Sequence, residues 1–293
     1  MEERLFFSYR NKIISAGEIY HVTQRAPGNE MIFVEEEDYL NILSLLKEWV
    51  KEFNLELFSF CLMPNHYHLL FKINEPNLSK AMHSLNTTYA LKFNSKYQRK
   101  GHVFCGVYRA SICLDDTHLI GSSLYIHLNP QKAGLVKKAK DYRWSSVGVY
   151  INPEKKSFVK SSYILKIVDD DLQKAADIYE SMLSDYLGLE YKEISENPRA
   201  VIDFCKGIFQ RLPPVLLKRQ IKKDFILQEL TIDRMIDEVR KKKRRATPRD
   251  KEGMVYLMKQ LQERGYNVSE IAKILGVTRQ TLYNLTNKVQ LKV

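Results

Sequence analysis

The first 130 residues alternate between extended and helical patterns, and this alternation limits the folds open to the chain. The predicted strands are the β-rich runs 18–25, 55–62, 66–72 and 101–112. Apolar steps of three and four predict helices from about residue 36 and over 78–96, and a third helix that begins at Asp115 or Asp116 and ends before Pro130. The order β-α-β-β-α-β-α predicts an α+β fold with helices packed on one antiparallel, ferredoxin-like sheet.

Beyond residue 146 the chain becomes helical and charged, which predicts an all-α C-terminal region. We divide the chain into three parts: a domain at 1–152, a helical linker region at 153–227 and a C-terminal domain at 228–293. Within the last part, SEIAKILGVTRQTLYNL (269–285) is typical of a helix-turn-helix, with a capping Ser269, Gly276 at the bend and Thr278 opening the second helix.

The start of that second helix carries polar side chains that are predicted to point outward and could reach base edges in duplex DNA. They are Arg279, Gln280, Thr281 and Asn284. A short helical hairpin without DNA contact is the alternative.

The charge balance also favours a nucleic-acid partner. The 46 Lys and Arg residues exceed the 35 Asp and Glu residues, for a net charge of +11. Six basic residues form one unbroken run that predicts phosphate contact, although a solvated helix end or linker would also explain it. They are Arg240, Lys241, Lys242, Lys243, Arg244 and Arg245.

Membrane and secretory signals are not found in the sequence, so we expect a cytoplasmic, nucleoid-associated protein without a membrane partner. The four cysteines form no CxxC pair and are expected to be buried, reduced thiols. The sequence also lacks a P-loop, the phosphate-binding loop of many nucleotide-binding proteins.

All seven histidines precede residue 128, so any chemistry that uses histidine belongs to the first half of the chain. His66 and His68 are two apart on a predicted strand, so they share one face with Cα atoms roughly 6.6 Å apart. Two imidazoles so placed could converge on one metal ion, or both could be structural. His21, on the first strand, could approach the same site, but it is assigned to structure.

Tyr125 and Asn129 are four apart in the last predicted helix of this half and share one face, while His127 points away from them. A carboxamide oxygen is a ligand that Mg²⁺ and Mn²⁺ accept, and a neighbouring phenol is a candidate nucleophile. Tyr125 could instead be a core aromatic, because spacing alone does not choose among seventeen tyrosines.

The joint occurrence of MPNHYHLL, GHVF, YIHLNP and WSS, in that order along residues 10 to 150, resembles the single-tyrosine HUH transposases. Within that family the chain looks like the REP-associated tyrosine transposase branch. The resemblance implies a ferredoxin-like or RRM-like nuclease domain that cleaves and rejoins single-stranded DNA beside hairpin repeats.

The same resemblance implies roles for individual residues. His66 and His68 match the metal-binding histidines, Tyr125 matches the nucleophile that forms a 5′-phosphotyrosine, and Asn129 matches the third ligand of a Mg²⁺ or Mn²⁺ ion. The insertion-sequence members carry glutamine at that third position, so Asn129, one methylene shorter, is a less secure ligand. Arg109 and Lys132 are candidate contacts to the DNA strand.

Two other functions are compatible with parts of the sequence. A non-catalytic DNA-binding regulator would use the sheet domain for single strands and the helix-turn-helix for duplex, and would need neither metal nor Tyr125. A zinc hydrolase could also use the HxH pair, but the second half of the chain has no histidine to complete its site. The sequence leaves open whether the protein acts as a monomer or a homodimer.

Overall fold

The computed structural model describes residues 14–113, 115–185, 204–205, 207, 224–241, 248–264 and 266–290. The chain divides into two compact units, one spanning Ile14–Lys222 and one that includes Lys223–Val293. Each unit is described by itself.

The first unit is built on one four-stranded sheet. Its strands are β1 (Ile19–Arg25), β2 (Leu55–Met63), β3 (His66–Ile73) and β4 (Arg109–Ile112). They lie in the order β2-β3-β1-β4 with antiparallel pairing throughout, which confirms the predicted α+β class. Strand β4 is shorter than the predicted run because Gly101 and Gly106, at φ +100° and +64°, interrupt the extended backbone.

Two helices cover one face of the sheet, as the apolar spacing predicted: α1 (Glu36–Glu52) and α2 (Leu78–Lys96). Trp49 of α1 contacts both the sheet and α2. Its ring meets Phe71 of β3 edge-on at 5.2 Å between centroids, and its indole N–H donates to the carbonyl of Ala81 in α2 at 2.6 Å. The buried indole therefore packs against the sheet without leaving its polar atom unsatisfied.

Helix α3 (Asp116–Lys132) packs on the sheet from the other side. Asp115 caps it as predicted, accepting a hydrogen bond from the His118 backbone N–H at 2.8 Å. The predicted end before Pro130 is wrong, because Pro130 lies inside the last turn. Pro130 has no N–H to donate to the preceding turn. The helix continues past it, because the Ala133 N–H still donates to the Asn129 carbonyl at 2.9 Å.

Three further helices belong to the same unit: α4 (Val147–Ile151), α5 (Ser161–Val168) and α6 (Leu172–Asp185). Tyr179 of α6 is buried against α3, with its hydroxyl 2.7 Å from Ser123 Oγ. The compact unit thus continues past residue 152, where the sequence suggested a domain boundary.

Gly121 lies at a close approach between α3 and a later segment of the chain. A Cβ at this position would collide with Sγ of Cys205, which is fully buried. The Cys205 sulfur also lies 3.9 Å from the His118 carbonyl oxygen. The absence of a side chain at Gly121 is what lets Cys205 reach the helix.

The described residues of the second unit form four helices: α7 (Asp224–Lys241), α8 (Pro248–Glu263), α9 (Val268–Leu275) and α10 (Arg279–Gln290). The last two form the predicted helix-turn-helix, with Gly276 left-handed at the bend (φ +68°). The expected cap at Ser269 is wrong. Asn267 caps α9 instead, in a reciprocal pair of hydrogen bonds with Glu270, because the helix begins at Val268.

The helix-turn-helix is held by a small apolar core of its own. Its members come from all four helices and include Ile236, Leu257, Ile271, Leu275 and Leu282. Ile271, Ala272, Leu275, Leu282 and Leu285 are buried.

Two further expectations can be compared with the structure. Cys61, Cys113 and Cys205 are buried thiols, but Cys105 is exposed, contrary to expectation. Among the described residues, no helix is both long enough and apolar enough to span a bilayer.

We expect Gly121→Ala to destabilise the sheet-bearing unit by about 1–3 kcal/mol, because the added methyl overpacks against Cys205. In an ordinary helix interior the same change would stabilise by about 1 kcal/mol. Urea unfolding followed by tryptophan fluorescence measures the effect on this unit, since Trp49 and Trp144 both lie in it. Adding Cys205→Ala to Gly121→Ala should recover part of the loss; a stabilised single variant would contradict the close approach.

Candidate active site

The HxH pair lies on the central strand β3, on the face that α3 covers. In the register of the sheet, His68 is opposite Thr23 of β1 and Cys61 of β2, and His66 is opposite Arg25 and Met63. His68 is fully buried, whereas His66 begins the strand and is partly exposed. The two rings are 5.0 Å apart between centroids, so the shared face predicted from their spacing is confirmed.

His21 of β1 joins this pair. It lies on the same sheet face, two residues before Thr23, and its Nε2 is 3.1 Å from Nδ1 of His68. Sequence reasoning assigned His21 to structure; the sheet instead places it in contact with the pair. The signal that could have found it is the alternation in YHVT, which puts His21 and Thr23 on one face of a strand.

All three imidazoles are held in the neutral form by burial. Loss of hydration lowers the pKa of His21 to about 3 and the pKa of His68 well below its ordinary value. It also lowers the pKa of His66 to about 4, with a further contribution from the charge of Arg25. At neutral pH each ring therefore keeps an unprotonated nitrogen, the form in which histidine binds metals.

The donor set suits a divalent ion with nitrogen and oxygen ligands. Nε2 of His68 is buried without a hydrogen-bond partner in the part of the chain that the structure describes. Nδ1 of His66 lies 2.6 Å from Oδ1 of Asn65; because that oxygen can only accept, the proton is on Nδ1 and Nε2 is free of one. Among the described residues, no group of three or more His, Cys, Asp or Glu side chains is arranged to hold a metal, so a third protein ligand would have to be of another type.

Tyr125 of α3 packs directly against the histidines of its own chain. Its ring centroid is 5.8 Å from that of His68 and 6.0 Å from that of His21, with edge-on geometry in both cases. The side chain is fully buried. The candidate nucleophile and the histidine pair therefore meet within one chain.

Asn129 lies one turn further along α3, on the same face as Tyr125. It is almost fully buried, and its amide nitrogen donates to the Tyr125 carbonyl at 2.7 Å. This bond orients the carboxamide, with its nitrogen on the helix backbone and its oxygen turned away from that carbonyl. The role of Asn129 as a ligand stays a prediction.

His127 occupies the opposite side of α3, as its position in the helix predicted. Its Nδ1 lies 2.8 Å from the Tyr179 hydroxyl and its Nε2 lies 2.8 Å from Ser146 Oγ. Burial lowers its pKa to about 3. Both ring nitrogens are used by hydrogen bonds, so His127 ties α3 to its neighbours and holds the Tyr125 face towards the sheet.

Phe204 covers the other side of the Tyr125 ring. The two ring centroids are 5.8 Å apart in an edge-on contact, and Phe204 is buried. Neighbouring Cys205 is in contact with Gly121, one turn before Tyr125. Sequence reasoning missed this cover, although the glycine inside an otherwise regular helix was a signal of a close approach.

The predicted DNA contacts of the first unit lie near this site. Arg109 of β4 is opposite Thr23, so it is on the same sheet face as the histidines and is partly exposed. Lys132 is exposed at the end of α3. Their contact with DNA stays a prediction.

In the second unit, the four residues of α10 that were predicted to point outward are all exposed. They are Arg279, Gln280, Thr281 and Asn284. The Gln280 amide nitrogen donates to Asn284 Oδ1 at 3.0 Å along this face. In the basic run, Arg240 is exposed and its Nε donates to the Ile274 carbonyl at 2.6 Å. Lys241 ends α7 with its side chain outside the described residues, as are Lys242, Lys243, Arg244 and Arg245.

A segment of each unit matches a family of known proteins. Residues 17–129 match the family model described as "Transposase IS200 like", and residues 254–284 match "Bacterial regulatory protein, Fis family". A curated relative, the "Putative REP-associated tyrosine transposase" of Haemophilus influenzae, is 28% identical over 121 residues, which are 37% of this chain and 69% of the relative.

A solved structure of a REP-associated tyrosine transposase bound to a REP hairpin covers 52% of this chain and 90% of its own, with 14% identity and a TM-score of 0.43. That likeness is too distant to assign residues. The family match, in contrast, contains all four strands, Tyr125 and the three histidines His21, His66 and His68. The sheet-bearing unit of this chain is therefore similar to the IS200-like transposases over residues 17–129, and a segment similar to the Fis-family regulatory proteins follows at residues 254–284.

Proposed function

We propose that the protein is a metal-dependent transposase that cleaves and rejoins single-stranded DNA through Tyr125. The observation that carries this proposal is the contact of the Tyr125 ring with His68 in the same chain. A phenol and neutral metal-binding imidazoles in one pocket are the groups that phosphodiester cleavage by tyrosine requires. The REP-associated relative supports a REP-associated DNA as the substrate, and the resemblance noted in the sequence implies hairpin repeats.

The site offers ligands for the ion that this chemistry uses. His66 and His68 would hold Mg²⁺ or Mn²⁺, with the Asn129 carboxamide as an oxygen ligand, and open positions would remain for phosphate oxygens and water. When bound, such an ion withdraws electron density from the scissile phosphate and stabilises the charge that develops on its oxygens.

Tyr125 then acts as the nucleophile. Its phenolic oxygen loses its proton and bonds to phosphorus, while the bond from phosphorus to the 3′ oxygen breaks and that oxygen leaves as a hydroxyl after taking a proton. The product is a 5′-phosphotyrosine, and attack by another 3′-hydroxyl reseals a strand and regenerates the phenol. Each step exchanges one phosphate ester for another, so no nucleotide cofactor is required.

The burial of Tyr125 imposes a condition on this mechanism. The ring is enclosed by the histidines on one side and by Phe204 on the other. Because the side chain is fully buried, a phosphodiester can reach the phenolic oxygen only if a residue that covers it moves. Since His21 and His68 belong to the two central strands, we infer that Phe204 moves when DNA enters the site.

The helix-turn-helix would supply a second contact, with duplex DNA. The exposed Arg279, Gln280 and Asn284 side chains follow the bend at Gly276, where a recognition helix begins. Guanidinium and carboxamide groups can form paired hydrogen bonds with the edges of guanine and adenine. This unit would hold the duplex while the first unit acts on a single strand.

A DNA-binding regulator without catalysis is the second candidate. The complete burial of Tyr125 favours it, because a regulator would need no access to the phenol. The presence or absence of a covalent adduct separates the two functions.

We expect wild-type protein with Mn²⁺ to form a denaturant-resistant adduct with DNA, and Tyr125→Phe to form none. The probe is a pool of hairpin oligonucleotides with randomised single-stranded flanks, labelled at either end. Because the tyrosine retains the 5′ phosphate, label at the 3′ end should enter the adduct and label at the 5′ end should not.

The matched control is Tyr163→Phe, which removes a hydroxyl from a tyrosine that is 46% exposed. This variant should retain the adduct, and both variants should bind the DNA pool within about twofold of wild type. Absence of an adduct with wild type would support the regulator instead, and label on Tyr125→Phe would show that another residue is the nucleophile.

We expect Arg279→Ala to weaken duplex binding by at least fivefold, since loss of one bidentate base contact costs about 1–3 kcal/mol. Filter binding to a pool of duplexes at fixed salt measures the affinity, and the adduct assay on single strands should be unchanged. Lys259→Ala, at an exposed position on α8, is the charge-matched control. Equal losses in both variants would mean that binding depends on net charge and not on α10.

A further inference from the structure

His21 has no assigned role in the reaction, yet it is the residue that contacts His68. Its Nε2 lies 3.1 Å from His68 Nδ1, and the two ring planes are 22° apart with centroids 5.3 Å apart. We propose that His21 is a positioning residue that fixes the ring orientation and the tautomer of His68. This inference rests on the proposed function, because it concerns the nitrogen that His68 offers to the metal.

The hydrogen bond can be formed with the proton on either ring. If His68 donates from Nδ1, its Nε2 carries a lone pair and can bind a metal, and His21 carries its own proton on Nδ1. If His21 donates from Nε2, the proton of neutral His68 is on its Nε2, and that nitrogen cannot bind a metal. A metal site therefore requires the hydrogen bond in one direction: His68 donates from Nδ1 and His21 accepts at Nε2.

The surroundings make this bond important for the orientation of His68. The rings of His21 and His68 are both almost completely buried, and apart from their mutual bond each has one ring nitrogen without a hydrogen-bond partner in the described structure: Nδ1 of His21 and Nε2 of His68. Water cannot replace His21 as the acceptor at a site closed to solvent. Loss of the acceptor would leave Nδ1 of His68 unsatisfied and would remove the polar contact that selects its rotamer.

The other histidine of the pair is held in the same manner. Nδ1 of His66 donates to Oδ1 of Asn65 at 2.6 Å, so the lone pair on Nε2 stays available for a metal ion. Each member of the HxH pair thus has its Nδ1 on a neutral partner: Asn65 for His66, and His21 for His68. Partners of this kind set the tautomer of metal-binding histidines, and their loss commonly weakens metal binding 10- to 100-fold.

The neutral character of the partner suits its location. The His21 ring is almost completely buried, and as an imidazole it can accept a hydrogen bond without bringing a negative charge between the strands and α3.

The test compares two substitutions of His21 in the full-length chain, with Mn²⁺ as the probe and calorimetry as the measurement. His21→Gln keeps an acceptor, because Oε1 can take the place of Nε2, whereas His21→Phe keeps a ring without one. We expect Mn²⁺ affinity to fall 10- to 100-fold in His21→Phe and to remain within about threefold of wild type in His21→Gln.

Metal-free unfolding, followed by tryptophan fluorescence, separates positioning from a general loss of structure. A merely structural role predicts that Mn²⁺ affinity follows stability in both variants, and equal Mn²⁺ affinity in wild type and His21→Phe would overturn the proposal. If wild type itself binds no Mn²⁺, the proposed function fails instead.

A spectroscopic measurement on wild type tests the same inference without any variant. The probe is Zn²⁺, a diamagnetic ion that imidazole binds well. In the Zn²⁺-loaded protein, ¹⁵N–¹H correlation spectra should place the proton of His68 on Nδ1, and the proton of His21 also on Nδ1. A His21 ring protonated on Nε2 would overturn the proposal, since it could not then accept from His68.

Discussion

Helix α3 is buried along most of its length, and its two sides contact different parts of the first unit. One side carries Tyr125 against His21 and His68 of the sheet. The other carries His127, whose two ring nitrogens are hydrogen-bonded to Tyr179 and Ser146. Because both ring nitrogens of the buried His127 are hydrogen-bonded, the structure favours one rotation of the helix about its axis. Rotation by a single residue would move Tyr125 by about 100° and separate the phenol from the histidines.

Burial also determines the chemistry that the histidines can perform. In a closed pocket the charged form of imidazole is disfavoured, so the lowered pKa values of His21, His66 and His68 keep lone pairs available at neutral pH. Rings with such values are poor proton acceptors and suitable metal ligands. This neutral form is the one that the proposed metal site requires.

The two compact units divide the tasks of the proposed reaction. The helix-turn-helix has a separate core, which includes Ile236, Leu257 and Ile271, so its fold does not require a helix of the first unit. A unit that is folded by its own contacts can present the exposed end of α10 to duplex DNA while the first unit acts on a single strand. The family matches agree with this division, since each one falls within a single unit.

Local patterns in the sequence determined the order of strands and helices, the shared face of His66 and His68, and the side of α3 that carries Tyr125 and Asn129, because these depend on periods of two and 3.6 residues. They also marked the bend at Gly276. Only the tertiary structure decided that His21 contacts His68, that Phe204 and Cys205 cover α3, and that the helix continues through Pro130. Pairing of β1 with β3 and contacts over 80 residues of chain depend on strand register and side-chain volume, neither of which a local pattern contains.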